Sequence, residues 1–298
     1  MPRLTAADFA PEVLKLFDQY VHGGITRRGF LDGAGKYAVG GMTAAGLLEA
    51  LAPNFAQAQQ VAPTDARLVA STMTFDSPQG YGKASGYLVK PARPPANMPA
   101  ILVVHENRGL NPHIEDIARR LALEGYLVFA PDALFTLGGY PGDEDKAREL
   151  FGKLDQPKAL EDFAAAFGVL KSRPDCTGKV GVVGFCFGGG LAFNLTAIDA
   201  PDVLVSYYGS DIPRLLELAP RVGAPSLHHF GLADDYIPPG TVARIEAAVS
   251  RPGVQFETYP GAGHAFDDPM PMFHHPQASA ESWATTVAFL HRELPVAA

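Results

Sequence analysis

Short apolar segments alternate with amphipathic segments of helical spacing from residue 66 to the end of the chain. The segment "PAILVVHEN" is typical of a buried strand, and "HIEDIARRLALEG" is typical of a helix. "RLVASTMTF" and "ASGYLVK" are strand-like and are joined by a turn that contains glycine, which predicts a leading antiparallel pair. The pattern predicts an α/β fold with a mostly parallel, doubly wound sheet and helices on both faces.

The loops that follow the predicted strands are where functional residues are expected. In open α/β sheets, ligands bind beyond the carboxyl ends of the strands. Four such loops follow "AILVV", "VGVVG", "LHHFG" and "FETYP", and each of them holds a reactive side chain. The search for chemistry therefore concentrates on these loops.

The first 60 residues do not follow the alternation. We predict that residues 1–60 form a helical N-terminal extension and that residues 61–298 form the α/β domain. Within the extension, "LTAADFAPEVLKLFDQYVHGG" has apolar residues at helical spacing and predicts a short amphipathic helix that ends at Gly23-Gly24.

The extension also contains features of an export signal. Arg27 and Arg28 precede a stretch rich in small residues, and Ala56-Gln57-Ala58 is typical of a cleavage site. These features predict a twin-arginine signal, export through the twin-arginine translocase and a periplasmic location. The alternative is a structural arm on a cytoplasmic protein, which the charges within the stretch favour: Asp32, Lys36 and Glu49. Because these charges interrupt the run well short of the ~20 apolar residues that a bilayer requires, no membrane span is expected.

Charge and cysteine content exclude several classes of function. A net charge of -8 offers no basic surface to a polyanion, so nucleic acid is not an expected partner. The two cysteines, Cys176 and Cys186, are too few for a disulfide framework and form no CxxC pair of the kind found in zinc or redox sites. The role of Cys186 must therefore follow from its surroundings.

Cys186 lies in "GKVGVVGFCFGGG", which reads as a strand, a tight turn and the start of a helix. The glycines do not fit a dinucleotide-binding loop, because Cys186 occupies a position where glycine is required, and no Gly-Lys-Ser/Thr phosphate loop is present. Gly184 and Gly188 instead give the G-x-C-x-G pattern of a nucleophile elbow. This predicts a nucleophilic thiol at a helix N-terminus, with the backbone N–H of Phe187 as an oxyanion donor.

Candidates for a base and its orienting acid follow two later strands. "HHFGLADDYIPPG" has Asp234 and Asp235 past one strand, and "YPGAGHAFDDP" has His264 past the next. The order Cys, Asp, His is that of the α/β-hydrolases. His264 would accept the thiol proton or activate water, and an aspartate would hold its other ring nitrogen.

From about Pro99 to Phe266 the chain resembles the dienelactone hydrolases, also called carboxymethylenebutenolidases. The resemblance is carried by "VVHENRGLNPHIEDIARRLALEGYLVFAPD", "GKVGVVGFCFGGG", "FGLADDYIP" and "YPGAGHAF". It implies an α/β-hydrolase fold and the hydrolysis of a small ester or lactone through a thioester, without a cofactor.

The same resemblance implies roles for individual residues. Cys186 would be the nucleophile, with Asp234 and His264 as its partners. Glu106 would be a carboxylate that meets the cysteine and helps to deprotonate it, and the backbone N–H of Asn107 would be the second oxyanion donor. The alternative for Glu106 is a helix-capping or surface acid.

The substrate is less constrained than the catalytic residues. Members of the family that act on dienelactone use arginines to hold the substrate carboxylate, one of them shortly after the catalytic histidine, where this chain has "HAFDDP". Arg108 and Arg148 are the remaining candidates for such a contact, although a surface salt bridge is the alternative for Arg148. Asp267 and Asp268 are expected to add negative charge at the pocket mouth.

Other interpretations of these residues remain open from the sequence. Cys186 is alternatively a small buried core residue, or the reactive thiol of a redox protein in which Cys176, expected in the loop before the strand, acts as the resolving partner. A hydrolase fold that only binds ligands is a third possibility. The histidine pairs lack a third ligand at useful spacing, so no metal site is predicted: His228-His229 and His274-His275.

Overall fold

The computed structural model describes residues 4–21, 24–38 and 43–297. Within these ranges eight strands form one sheet: β1 (Leu68–Ser77), β2 (Gly82–Pro91), β3 (Met98–Val104), β4 (Leu127–Pro131), β5 (Cys176–Phe185), β6 (Val203–Tyr207), β7 (Ser226–Gly231) and β8 (Val254–Tyr259). The same ranges contain these α-helices: α1 (Pro11–Val21), α2 (Arg27–Ala34), α3 (Ala44–Leu51), α4 (Phe55–Ala58), α5 (Pro112–Leu123), α6 (Glu144–Phe151), α7 (Gln156–Lys171), α8 (Phe187–Asp199), α9 (Pro239–Val249) and α10 (Pro276–Glu293). The predicted alternation is confirmed.

The strand order is β1-β2-β4-β3-β5-β6-β7-β8. Strand β2 pairs antiparallel with both β1 and β4. The remaining neighbours, in the order β4-β3-β5-β6-β7-β8, all pair parallel. The chain moves in opposite directions across the sheet on the two sides of β3, and such a reversal opens a crevice at the carboxyl ends of the strands. The mostly parallel sheet with a leading antiparallel pair is therefore as predicted.

The core lies on both faces of the sheet. All seven residues of β3 are buried, as expected for a central parallel strand that is covered by helices on both sides. One apolar cluster packs α7 and α8 against one face, and a second packs α5 and α10 against the other. This rigid centre fixes the ends of β3, β5, β7 and β8, where the predicted site residues follow.

The N-terminal extension packs as helices on the α/β domain. Its own apolar cluster includes Phe30 and Leu51, both fully buried, and is joined by Met270 from the segment after β8. The predicted first helix is present as α1, and its predicted end at Gly23 lies outside the described residues. No helix in the described part of the chain is long and apolar enough to cross a membrane.

The residues of the predicted export signal lie within this packed region. Arg27 begins α2 after the N-cap Thr26, and it pairs with Asp145 of α6 at 3.2 Å. Arg28 is exposed beside Asp32. The predicted cleavage sequence, Ala56 to Ala58, forms most of the short helix α4.

Candidate active site

Cys186 occupies a sharp turn between β5 and α8. Its backbone has φ 52° and ψ -114°, an unfavourable conformation for a residue with a side chain. The flanking glycines make the turn possible: a Cβ on Gly184 would lie 2.0 Å from the carbonyl oxygen of Gly188, and one on Gly188 would lie 2.2 Å from that of Val104. The structure therefore has the strand-turn-helix geometry that G-x-C-x-G predicts, with the sulfur at the start of α8.

His264 and Asp234 approach this sulfur from the loops after β8 and β7. The Nε2 atom of His264 lies 3.1 Å from Sγ of Cys186, and Nδ1 lies 2.8 Å from Oδ2 of Asp234. The second oxygen of Asp234 accepts backbone N–H bonds from Tyr236 and Ile237 at 2.7 and 2.9 Å. Asp235 is exposed. The three residues thus form a continuous hydrogen-bonded series, with the aspartate fixed at its far end.

The charges in this series favour a thiolate beside an imidazolium. Burial opposes ionisation of Cys186, but the charge of His264, together with hydrogen bonds that include the backbone N–H of Phe187, outweighs it and lowers the pKa of the thiol. Burial also opposes protonation of His264, yet the charge of Cys186 and the bond to Asp234 raise the pKa of His264 well above its ordinary value. Hydrogen bonds, the first of them to His264, lower the pKa of Asp234 against the effect of burial.

Two tyrosine rings and a serine lie near this series, and the sequence patterns did not predict them at the site. The ring of Tyr208 lies 5.3 Å from that of His264, and the ring of Tyr236 lies 5.5 Å from it. Tyr208 has φ 38° and Ser210 hydrogen-bonds Cys186, which lowers the pKa of the thiol. Both follow β6, so their position after a parallel strand was the signal that could have identified them.

A small cavity of about 30 Å³ adjoins the sulfur, enough for roughly one water molecule. Its polar lining consists of Cys186, His264, Glu106, Asn107, Arg108 and Asp268. The structure therefore brings together the predicted nucleophile, base, second acid and oxyanion loop. Val21 of α1 and Met270 also line this cavity, so the N-terminal extension forms part of its wall.

Comparisons with known proteins identify the family. The family model described as "Dienelactone hydrolase family" matches residues 84–294. The chain belongs to the dienelactone hydrolase family. The carboxymethylenebutenolidase of Pseudomonas sp. strain P51 is 30% identical over 226 residues, covering 73% of this chain and 94% of that protein. A protein of Escherichia coli strain K12 named as a hydrolase fragment, YghX, is 55% identical over 114 residues, covering 38% of this chain and 97% of the fragment.

Structural similarity agrees with this assignment. A solved Klebsiella pneumoniae structure described as a dienelactone hydrolase matches with a TM-score of 0.65 and 24% identity, and the match covers 75% of this chain and 99% of that one. This shows that the fold is the α/β-hydrolase fold of the family. Residues 1–38 match a second family model, described as YqhI-like. As a member of the dienelactone hydrolase family, the chain is a hydrolase of the carboxylic ester and lactone class.

The two candidate substrate arginines both contact the C-terminal end of α1. Arg108 is buried and donates to the carbonyl of Val21 at 3.2 Å and to Oδ1 of Asn107 at 2.7 Å. Arg148 donates to the carbonyl of Tyr20 and stacks on its ring. Arg108 lines the cavity beside Cys186, whereas Arg148 does not. The structure therefore brings only Arg108 to the sulfur.

Of the two aspartates after His264, Asp268 lines the cavity, whereas Asp267 does not. Both side chains are buried. Asp267 hydrogen-bonds Ser279 and lies 3.6 Å from Nε2 of His113. Asp268 lines the cavity, and its Oδ1 accepts the backbone N–H of Met270 at 2.8 Å. The loop folds inward because Met270 packs into the cluster of the N-terminal extension.

Cys176 is the first residue of β5 and not part of the preceding loop. It is buried, and burial raises the pKa of its thiol. Cys186 follows the far end of this strand, so about 30 Å separate the two cysteines at about 3.3 Å per residue. A disulfide requires Cα atoms within about 7 Å, so Cys176 cannot resolve an oxidised Cys186 without unfolding the sheet.

The histidine pairs have structural contacts. His228 and His229 lie in β7, where burial lowers the pKa of each to about 3 and keeps both neutral. His275 is the N-cap of α10, with its ring nitrogen accepting the backbone N–H of Ala278. Among the residues that the structure describes, no group of three or more histidine, cysteine or acidic side chains has the arrangement of a metal site.

Proposed function

We propose that this protein hydrolyses carboxylic esters or lactones by covalent catalysis, with Cys186 as nucleophile, His264 as acid and base, and Asp234 as the residue that orients His264. The observation that carries the proposal is the continuous hydrogen-bonded series, 3.1 Å from Sγ to Nε2 and 2.8 Å from Nδ1 to Oδ2. Such a series holds the imidazole in the tautomer and orientation that proton transfer requires.

In the first half of the reaction the thiolate of Cys186 attacks the carbonyl carbon and forms the C–S bond. The carbonyl π electrons move to oxygen, which the backbone N–H groups of Phe187 and Asn107 stabilise. When the tetrahedral intermediate collapses, the C–O bond to the leaving alcohol breaks, and the imidazolium of His264 donates its Nε2 proton to the alkoxide. The products are a thioester on Cys186 and a neutral His264.

In the second half His264 accepts a proton from a water molecule as the water oxygen attacks the thioester. The same two N–H groups stabilise the second oxyanion. Collapse breaks the C–S bond, releases the carboxylic acid and restores the thiolate beside a protonated His264. Every proton that moves passes through Nε2 of His264, which explains why Nδ1 must stay bound to Asp234. Glu106 faces the same cavity as a further acid, in the position from which its charge state influences the sulfur.

Selective alkylation tests the assignment of the nucleophile. We expect iodoacetamide to modify Cys186 rapidly at neutral pH and to leave Cys176 unmodified, because the thiolate is the reactive form and the two thiols have pKa values shifted in opposite directions. Peptide mass spectrometry gives the extent of labelling at each site, and loss of activity should follow the labelling of Cys186 alone. Equal labelling of the two cysteines in the folded protein would contradict the elbow assignment.

The substrate class that the cavity supports is a neutral ester or lactone. Glu106 and Asp268 both line the cavity, and its cation, Arg108, is already bonded to Val21 and Asn107. An additional substrate carboxylate would therefore meet acidic groups and would compete with Val21, Asn107 and Glu144 for the guanidinium of Arg108.

We accordingly expect kcat/KM to be at least about tenfold higher for p-nitrophenyl acetate than for a carboxylated dienelactone, which corresponds to about 1.4 kcal/mol. Arg108→Ala should change the ratio of the two values little. Arg148→Ala is the matched control, since it removes a similar contact to α1 from outside the cavity. A preference for the anionic lactone that disappears in Arg108→Ala, but not in Arg148→Ala, would show that Arg108 holds the substrate carboxylate.

A further inference from the structure

A second cavity adjoins the catalytic one, between the N-terminal extension and the segment that leads into α6. Its volume is about 300 Å³, at the lower end of the roughly 300–1,000 Å³ of small-molecule sites, whereas the cavity at the sulfur holds roughly one water molecule. Three residues line both cavities: Val21, Arg108 and Met270. We call the larger cavity the extension pocket, and its larger apolar side chains from the extension are Phe17, Tyr20, Leu48 and Phe55.

Much of the wall of the extension pocket lies outside the segment that the dienelactone hydrolase family model matches. That model begins at residue 84, whereas Phe17, Leu48 and Phe55 precede it. Phe17 and Leu48 are buried in the apolar cluster of the extension, and Met270 from the segment after β8 packs into the same cluster. The packing of the extension on the α/β domain therefore creates this pocket.

A third cavity, of about 610 Å³, adjoins the catalytic cavity at His264, which lines both. It lies between the N-terminal segment and the loops after β7 and β8, and we call it the histidine pocket; its lining includes Ala6 and Tyr236. In the proposed mechanism His264 protonates the leaving alcohol and then activates the water molecule, so both must lie on its side of the sulfur. The histidine pocket is therefore the place for the alcohol and the water.

The acyl group stays on the sulfur, and the extension pocket is the space left for it. Arg108 directly follows the proposed oxyanion donor Asn107 and lines the extension pocket, whereas His264 is not among the residues that line it. An acyl group held there leaves the approach of water to His264 open. Met270 lies at the junction of the two cavities, and its unbranched side chain can adapt to a passing chain.

The charged side chains of the extension pocket are paired with one another. Arg27 lies 3.2 Å from Asp145. Nε of Arg108 lies 3.7 Å from Oε2 of Glu144, whose other oxygen accepts the hydroxyl of Tyr140 at 2.8 Å. A charged acyl group would have to displace one of these partners, whereas an apolar group contacts the remaining surface without that cost. The wall therefore favours a neutral, apolar ligand.

We propose that the extension pocket binds the acyl group of the substrate, and that this group is a neutral apolar chain longer than acetyl. The proposal rests on the proposed function and extends it, because a covalent acyl intermediate keeps the acyl group at the sulfur while the alcohol leaves. It also gives the N-terminal extension a role in specificity, since side chains of α1, α3 and α4 contact the chain.

The test is the dependence of kcat/KM on acyl length for p-nitrophenyl acetate, butyrate, hexanoate and octanoate. The alcohol is the same throughout, so the ratio of hexanoate to acetate reports on the acyl chain alone. We expect this ratio to be at least about tenfold in the wild type, because each methylene that is fully buried favours binding by about fourfold.

Ala52→Trp, which fills the extension pocket, should lower the hexanoate-to-acetate ratio at least about tenfold. Ala52 lines the pocket, directly follows α3 and is exposed, so the ring adds volume without entering the core. Ala6→Trp is the corresponding control, because it places the same ring at the histidine pocket, and it should keep the wild-type ratio. A general loss of access to the sulfur would lower both rates and leave the ratio unchanged.

Phe55→Ala tests the same pocket in the opposite direction. Phe55 is half-buried and lines the extension pocket, so its truncation enlarges the space for the chain. We expect the ratio of octanoate to hexanoate to rise by about threefold. Thermal unfolding verifies that each variant is folded, and Phe55→Ala decides alone if Ala52→Trp does not fold.

Specific outcomes overturn the proposal. These are a wild-type hexanoate-to-acetate ratio at or below one, a ratio that is unchanged in Ala52→Trp or falls as much in Ala6→Trp, and an octanoate-to-hexanoate ratio that does not rise in Phe55→Ala. They differ from a failure of the proposed function, which would appear as hydrolysis of both acetate and hexanoate that survives in Cys186→Ala, whatever the chain-length ratios show.

Discussion

Replacing Cys186 with alanine should lower kcat/KM for p-nitrophenyl acetate by at least about 10³-fold, because it removes the sulfur that would form the covalent intermediate. In the structure Nε2 of His264 is directed at this sulfur at 3.1 Å, so its removal leaves a base without a nucleophile to activate. The proposed oxyanion donors are backbone N–H groups and remain, which explains why a residual rate above that in water is expected. Initial-rate measurements on purified wild type and variant give the ratio.

Cys176→Ser is the matched control for this experiment. Cys176 is buried at the start of β5 and accepts the backbone N–H of Gly178 at 3.3 Å, a contact that a serine hydroxyl can retain. We expect its kcat/KM to stay close to that of the wild type. Hydrolysis that persists in Cys186→Ala, or that is lost in Cys176→Ser with the fold intact, would exclude Cys186 as the nucleophile.

The sheet and the order of the catalytic loops were predictable because they depend on local patterns. Buried parallel strands read as apolar runs, and glycines at 184 and 188 are required wherever the backbone passes as closely as it does around Cys186. Once the strands were assigned, the topology of such sheets places the loops after β3, β5, β7 and β8 along one edge. Position therefore predicted Cys186, His264 and an aspartate at 234 or 235, whereas the choice of Asp234 and the role of Glu106 came from the resemblance.

Contacts that depend on distant packing were not predictable. Arg108 and Val21 are 87 positions apart, and nothing in either segment signals that a helix carbonyl of the extension would occupy the guanidinium. The position of Asp268 after His264 predicts a negative charge near the pocket, but it does not predict that the side chain is buried. Its burial follows from the packing of Met270 against the N-terminal helices, which only the folded chain reveals.

The second large expected effect is the loss of activity when Asp234, but not Asp235, is replaced. Asp234→Asn should lower kcat by about 10⁴-fold, by analogy with the serine triad, whereas Asp235→Asn should leave it within about twofold. Asp234 is 2% exposed and holds Nδ1 of His264 at 2.8 Å, while Asp235 is exposed. An asparagine at 234 can present its amide N–H to Nδ1, which favours the tautomer with the proton on Nε2 and so directs an N–H at a thiol that needs an acceptor.

The pH dependence separates this effect from simple misfolding. The bond to Asp234 contributes to the raised pKa of His264, and the charge of His264 in turn lowers the pKa of Cys186. Without the carboxylate, His264 loses its proton at lower pH, so the thiolate loses its counter-charge and the alkylation midpoint of Cys186 should move to higher pH in Asp234→Asn. Asp235→Asn should keep the wild-type midpoint, since its side chain is directed to solvent. A larger loss in Asp235→Asn than in Asp234→Asn would mean that the neighbouring carboxylate orients His264 during turnover.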